Sequence, residues 1–253
     1  MNEIISITPY SDKTAKLKIY NPRIATKYQP GQFVIIKFYS DGHRIPFSII
    51  ESDQERGMID VIIHRADGLD KILEAIRVGE SLPDMLGPLG QPAKIERESK
   101  ILFFGDGSGV VPLLPLMHYA RSLKCKIYSV LSEHSSRTQC FLPDIESYCD
   151  KVVTTEDSDL YSSACNIMDY ESIDKVVMSG PSLIMKRLAE ETKIRCIPSE
   201  CVLNMLMIDG IGLCGICRVI VGGERKQTCT DGPIFNAHLV DFDQLYNRQR
   251  LFV

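Results

Sequence analysis

No stretch of this 253-residue sequence approaches the roughly 18 consecutive apolar residues that a membrane-spanning helix requires. The opening MNEIISITPY also lacks the basic and then apolar layout of a secretory leader, which predicts a cytoplasmic protein with no membrane partner. There is no cluster of Lys or Arg either. With 29 basic against 33 acidic residues the formal net charge is −4, so nothing draws the chain to a phosphate backbone, and nucleic acid is excluded as a partner. No internal repeat and no low-complexity tract appears. What remains is ordinary globular composition, 44% hydrophobic and 25% charged, enough for several modest cores.

Cysteine, by contrast, is plentiful. A reducing compartment keeps thiols free, so nine cysteines point to metal ligation or burial rather than to disulfides. Cys125, Cys140, Cys149, Cys165, Cys196 and Cys201 are scattered through strand-like or helix-like text and read as packing residues. Cys214 and Cys217 form a CxxC with Cys229 close behind.

Three kinds of text follow one another. Up to about residue 65, short β-type runs (EIISI, AKLKIY, QFVIIKF, PFSIIES, MIDVIIHR) alternate with turn-rich pieces, as in a small antiparallel barrel. DGLDKILEAIRVGE then predicts a helix with Leu69, Ile72, Leu73 and Ile76 on one face, closed by Gly79. MLGPLGQP reads as a loop, and the charged stretch KIERESK as a domain boundary. Beyond it, buried strands alternate with helices through KILFFG, VPLLPLMHYARSLK, KIYSVL, DKVVMSG, SLIMKRLAEETK and IRCI, the pattern of a parallel sheet with crossover helices. After about residue 196 regularity fades and glycines cluster, so this part is expected to lean on a bound group.

The turn FFGDGSGVVPLL follows a strand and opens a helix. Gly105, Gly107 and Gly109 would let backbone amides approach a phosphate at the helix N-terminus, although glycines at such turns serve packing equally well. A second junction, Ser179, Gly180, Pro181 and Ser182, ends the strand DKVVM with Ser182 as the expected N-cap, and two such clefts in one sheet suit a dinucleotide. In the barrel, RIPFSI joins the basic Arg44 to a hydroxyl at Ser48, groups that a flavin's pyrophosphate and ring edge require, or it is a plain turn into an edge strand. His64 and Arg65 end another strand just before Gly68, where phosphate could also be held.

The segment MIDGIGLCGICRVIVGGERKQTC carries the densest chemistry. A CxxC lets two thiolates reach one metal or one cluster, and the surrounding glycines let a loop wrap an inorganic core with amides aimed at sulfur. With Cys229 there are three thiolates. Asp209 stands five residues before Cys214, where a plant-type [2Fe-2S] loop has its first ligand. Three thiolates and one further donor would also make a tetrahedral zinc site, which leaves a zinc-bound interaction module as a reading of another class.

RIPFSI, GDGSGVVPLLPL, SGPSLIM and this cysteine loop together resemble the iron-sulfur flavoprotein subunits related to the electron-transfer subunit of class B dihydroorotate dehydrogenase, in the ferredoxin-NADP reductase superfamily. LNMLMIDGIGLCGICRVIVGGE followed by CTDGPIFNAHLVDF is most similar to the branch of small subunits of NADH-dependent reduced ferredoxin:NADP oxidoreductases, also known as sulfide dehydrogenase small subunits. The resemblance implies an antiparallel flavin-binding barrel (1–95), a parallel-sheet α/β nucleotide-binding domain (96–196) and a small C-terminal iron-sulfur domain (197–253).

It implies FAD contacts at Pro46, Phe47, Ser48, Ile63, His64 and Arg65, and NAD(H) or NADP(H) contacts near Gly107, Gly109, Val110, Pro112, Gly180 and Pro181. Asp209, Cys214, Cys217 and Cys229 would hold the [2Fe-2S] cluster, with the aspartate marking the ferredoxin:NADP branch where orotate-pathway relatives carry Cys. Implied too is an oxidoreductase that passes electrons between nicotinamide, FAD and cluster to or from a larger flavin and iron-sulfur partner subunit, with ferredoxin reached indirectly. The alternative is delivery to a dihydroorotate dehydrogenase catalytic subunit. Two stretches depart from the relatives: Asp70 replaces a small hydroxylic residue, and TTEDSDLYSSACN lacks their glycine-rich text.

Overall fold

The computed structural model of the chain describes residues 1–64, 69–133 and 136–250. Six strands, β1 (Glu3–Ser11), β2 (Thr14–Tyr20), β3 (Phe33–Lys37), β4 (Arg44–Asp53), β5 (Met58–His64) and β6 (Asp84–Leu89), form an antiparallel sheet in the order β1-β2-β5-β4-β3-β6. Strand β2 shows why: Ala15, Leu17 and Ile19 alternate with Lys16 and Lys18, and the period of two puts the apolar side chains into a core with Val34, Ile36, Ile49, Ile59, Val61 and Ile63. The lysines on the other face meet the buried Asp60, Lys18 at 2.8 Å and Lys16 at 3.6 Å. Backbone bonds from Ile4 N–H to Glu80 and from Leu82 N–H to Asn2 join the two edges, which curls the sheet into a barrel.

Helix α1 (Pro22–Lys27) follows β2, started by Asn21, whose side chain accepts the Ile24 N–H at 3.0 Å, and by proline at the first helical position. The helix expected over DGLDKILEAIRVGE is only the six-residue α2 (Asp70–Ala75). Ile76 is already extended because its side chain turns into the barrel core, and Gly79, at φ +88, belongs to a separate turn. MLGPLGQP is not all loop. Its first residues form β6, whose partner β3 uses its backbone.

The second sheet contains β7 (Lys100–Gly105), β8 (Lys126–Ser132), β9 (Lys151–Thr155), β10 (Lys175–Ser179), β11 (Ser199–Val202) and β14 (Ile234–Asn236), ordered β14-β11-β10-β7-β8-β9 and parallel except for β14. Helices cover both faces, so β7 reads as a continuous apolar run. Ile101 and Phe103 pack with α3 (Val110–Ser122) and α4 (Ser136–Tyr148), while Leu102 and Phe104 pack with α5 (Leu160–Tyr170) and α6 (Ser182–Ile194).

Elements α4, β9 and α5 fall in text whose polar residues hide the alternation. IRCI is not a strand: α6 runs through Ile194 and Cys196 takes φ +57 in the turn that follows. Ser182 is the first residue of α6 rather than its cap, which is Pro181 with no side-chain bond. The C-terminal part adds the hairpin β12 (Arg218–Val221) and β13 (Glu224–Gln227), turned by Gly222 and Gly223 at positive φ, and α7 (Phe242–Gln249). Of the cysteines expected as packing residues, Cys125 and Cys201 are buried, Cys140, Cys149 and Cys165 are half-buried, and Cys196 is exposed.

Candidate functional site

A cavity of about 600 Å³ lies where the three kinds of text meet, a size usual for small-molecule sites. The barrel contributes Phe33 from β3, Pro46, Phe47 and Ser48 from β4, and His64 from β5. The α/β part contributes Val111, Pro112 and Pro115 from α3, and the extended segment Val202–Met207 closes the third side. The walls are apolar, with hydroxyl, imidazole and amide groups at Ser48, His64 and Asn204. His64 is buried, and its Nδ1 lies 2.6 Å from Thr14 Oγ1, which fixes the ring. A flat ring system with polar edges fits this slot.

The other flavin candidates are placed differently. Ile63 points into the barrel core. Arg44 sits outside the cavity lining, paired with Asp84 through Nη2 at 2.7 Å and Nε at 3.1 Å. Arg65 and Gly68 lie outside the described residues. The wall Val202–Met207 was missed in the sequence, where LNMLM reads as the start of the cysteine loop. Its signal is the alternation of Leu203, Met205 and Met207, buried, with Leu206 and Ile208, half exposed.

The glycine turn after β7 is built by close approach. A Cβ on Gly109 would fall 2.2 Å from the Ser179 carbonyl oxygen, and one on Gly105 2.9 Å from Leu131. The two junctions therefore touch: Asp106 N–H donates to Ser179 O at 3.1 Å, and a Cβ on Gly180 would lie 3.1 Å from Asp106 Cβ. Gly107, at φ +54, faces open space. Val110 is fully buried, whereas Pro112 faces the cavity, so the N-terminal turns of α3 run from the glycine turn to the cavity wall. Gly180 and Pro181 sit across from it at the start of α6.

A feature with no motif stands beside them. Burial and then the neighbouring Asp157 raise the Asp106 carboxyl above the usual carboxylate range, and Ser132 donates to Asp157. Only the pairing of β7, β8 and β9 brings these three together.

In the cysteine loop, Gly210, Gly212 and Gly215 all take positive φ. They turn the chain around Asp209, whose carboxylate accepts the N–H groups of Ile211 at 3.1 Å, Leu213 at 2.9 Å and Cys214 at 2.5 Å. Burial acts against ionisation there, yet these bonds and one from the Cys214 side chain hold the carboxyl below its ordinary range. Cys217 and Cys229 form a second pair, both buried, and burial with the neighbouring thiol pushes Cys229 up to about 12. A thiol so placed becomes a thiolate only beside an electropositive centre.

Among the four expected ligands Asp209 neighbours Cys214, Cys217 neighbours Cys229, and Asp209 is also an electrostatic neighbour of Cys229. Among the described residues no three His, Cys, Asp or Glu side chains converge as ligands of a single metal ion. In a two-iron core each iron takes two protein ligands, whereas a mononuclear zinc takes four converging donors.

The chain is similar to known proteins. Residues 204–241 match the iron-sulfur cluster binding domain of dihydroorotate dehydrogenase B. The chain is 31% identical to an uncharacterized protein in the adh 3' region of Clostridium beijerinckii, covering 100% of this chain and 90% of that protein. It is 28% identical to the Thermotoga maritima homolog of the NAD(+)-dependent dihydroorotate dehydrogenase B electron transfer subunit, over 98% of this chain and 90% of the relative. Its structure superposes on a chain of an NADH-dependent reduced ferredoxin-NADP oxidoreductase, studied for flavin-based electron bifurcation, with TM-score 0.86 and 26% identity over 99% of this chain and 93% of that one. A ferredoxin reductase of carbazole 1,9a-dioxygenase, at TM-score 0.60 and 17% identity, shares the fold.

Proposed function

Because the chain belongs to the family of dihydroorotate dehydrogenase B electron-transfer subunits and their homologues, we propose that its two clefts and its cysteine loop form one electron path. The path links a nicotinamide nucleotide, FAD and a [2Fe-2S] cluster. One observation carries the reading: the segment Val202–Met207 that walls the cavity runs directly into the loop of Asp209, so the flavin slot and the cluster ligands share one continuous backbone. A flavin supplies exchange between two-electron and one-electron chemistry, and a [2Fe-2S] centre supplies a one-electron relay.

The residues have positional work. Pro46, Phe47 and Ser48 on β4 and His64 on β5 hold the ring system against α3, with Arg44, Ile63, Arg65 and Gly68 assigned to the remaining flavin contacts on the resemblance. Gly105, Gly107, Gly109, Val110, Pro112, Gly180 and Pro181 would hold the dinucleotide, and of these Pro112 lines the cavity. The carboxylates of Asp106 and Asp157 would disfavour a further phosphate beside them, which favours NAD(H) over NADP(H). Asp209, Cys214, Cys217 and Cys229 hold the cluster. In these terms residues 1–95 serve the flavin, 96–196 the nucleotide and 197–253 the cluster.

The electrons leave through a larger partner subunit. Leu206, Ile208 and Ile211 are about half exposed and Leu213 is 83% exposed, an apolar patch around the exposed Cys214. That patch is where the partner docks, close enough to take electrons from the cluster. Asp209 and the superposition on the ferredoxin-NADP oxidoreductase chain favour a partner of that kind over an orotate-pathway catalytic subunit. Anaerobic purification followed by metal, sulfide and flavin analysis tests the proposal. About two iron and two acid-labile sulfide per chain and about one FAD are expected. Colourless protein with stoichiometric zinc overturns it.

A further inference from the structure

The two residues between the CxxC thiols each lie beside a guanidinium group. Arg248 of α7 is only 7% exposed and donates from Nη2 to the Ile216 carbonyl at 2.8 Å. On the other flank Arg225 of β13 brings its Nη2 to 2.7 Å from where a Cβ on Gly215 would stand. Arg218 follows Cys217 directly, and both Arg218 and Arg225 are electrostatic neighbours of Arg248, as is the Cys217 sulfur.

Gathering three like charges is unfavourable by itself, and burying one of them more so. The arrangement gains when the enclosed group carries net negative charge. A cluster held by three thiolates and a carboxylate is such a group, and it becomes more negative on reduction. Hydrogen bonds and charge near the sulfurs are established determinants of cluster potential.

We propose that Arg248, assisted by Arg225, positions the Gly215–Ile216 bridge and raises the reduction potential of the group carried by Cys214 and Cys217. This rests on the cluster reading above. Removing a buried positive charge leaves the oxidised form untouched in composition but weakens the reduced form, so the midpoint falls. Arg248→Lys keeps the charge and Arg248→Gln removes it. Arg225, on the rim, is better screened and its effect smaller.

The test is an EPR-monitored redox titration of the anaerobic full-length chain and of Arg248→Lys, Arg248→Gln and Arg225→Gln, with iron and acid-labile sulfide measured on every sample. Arg248→Gln is expected to shift the reduced-to-oxidised ratio about tenfold toward oxidised, equivalent to about 59 mV for one electron. Arg248→Lys stays within about threefold of the parent chain, and Arg225→Gln shifts about threefold in the direction of Arg248→Gln. Equal midpoints in the parent, Arg248→Gln and Arg225→Gln chains at full iron content overturn the proposal. Should Arg248→Gln fail to fold, an unchanged midpoint in Arg225→Gln overturns it equally. A parent chain without acid-labile sulfide overturns the cluster reading itself and this proposal with it, whereas clusters of unaltered potential overturn the tuning alone.

Discussion

Two glycine-rich segments, Gly105 to Gly109 and Gly210 to Gly215, have similar composition and a different balance of physical reasons for it. In the first, Gly105 and Gly109 are there for lack of a side chain: a Cβ would strike Leu131 or the Ser179 carbonyl. In the second, Gly210, Gly212 and Gly215 all take positive φ, which turns the backbone around Asp209, and what a Cβ would meet there is side chain rather than backbone: Ile35 at 2.4 Å from Gly210 and Arg225 at 2.7 Å from Gly215. The first presses a helix end against a neighbouring strand. The second gathers three N–H groups on the Asp209 carboxylate. A glycine count does not separate these uses, but the backbone angle read together with the atoms a Cβ would meet does.

The largest effect is expected at the centre of the second segment. Asp209→Ala loses most of its iron and sulfide, while Asp209→Cys retains a cluster with altered visible and EPR spectra, read by metal analysis and spectroscopy. Unchanged cluster content and spectra in both variants would shift the fourth ligand to Cys201 or Cys196. Next comes Gly109→Ala, where the 2.2 Å approach to backbone forces α3 to shift. A cost of about 1–3 kcal/mol and an NADH KM raised about tenfold are expected, with iron content untouched. Steady-state kinetics and denaturant titration measure both.

Gly107→Ala sharpens the contrast inside the first segment, because Gly107 combines φ +54 with open surroundings. Only strain of about 1 kcal/mol is expected in stability, with a smaller rise in KM. A loss equal to that of Gly109→Ala would break the distinction between approach and turning. The smallest effect is at Asp106. Burial and Asp157 raise its folded pKa, so its ionised form weakens the fold above that pKa and not below it. Asp106→Asn therefore raises Tm at pH 7, and the gain fades as pH falls through the carboxylate range, where Asp106 is protonated in both states.

Much of this was legible in the sequence because local pattern and final environment agree. The alternation of Ala15, Leu17 and Ile19 with lysines marked a half-buried strand, and the unbroken apolar run of β7 marked a strand covered on both faces. The CxxC and the spacing back to Asp209 were equally readable, being contiguous in the chain. What was hidden depends on residues distant in sequence. Strand β6 exists because β3 offers an open edge, and α2 stops early because Ile76 is drawn into the barrel. The Asp106–Asp157–Ser132 group needs three paired strands, and the wall Val202–Met207 needs a barrel to face. Arg248 lies 31 residues beyond Cys217, with nothing in the sequence between to suggest that α7 returns to the loop.

The most direct test of the central claim is a visible and EPR spectrum of the anaerobically purified chain before and after NADH. Bleaching of a flavin band together with the appearance of a reduced [2Fe-2S] signal is the predicted result. A flavin that bleaches with no cluster signal, or a spectrum that NADH leaves unchanged, would contradict a single path from the nucleotide cleft to Asp209 and its three cysteines.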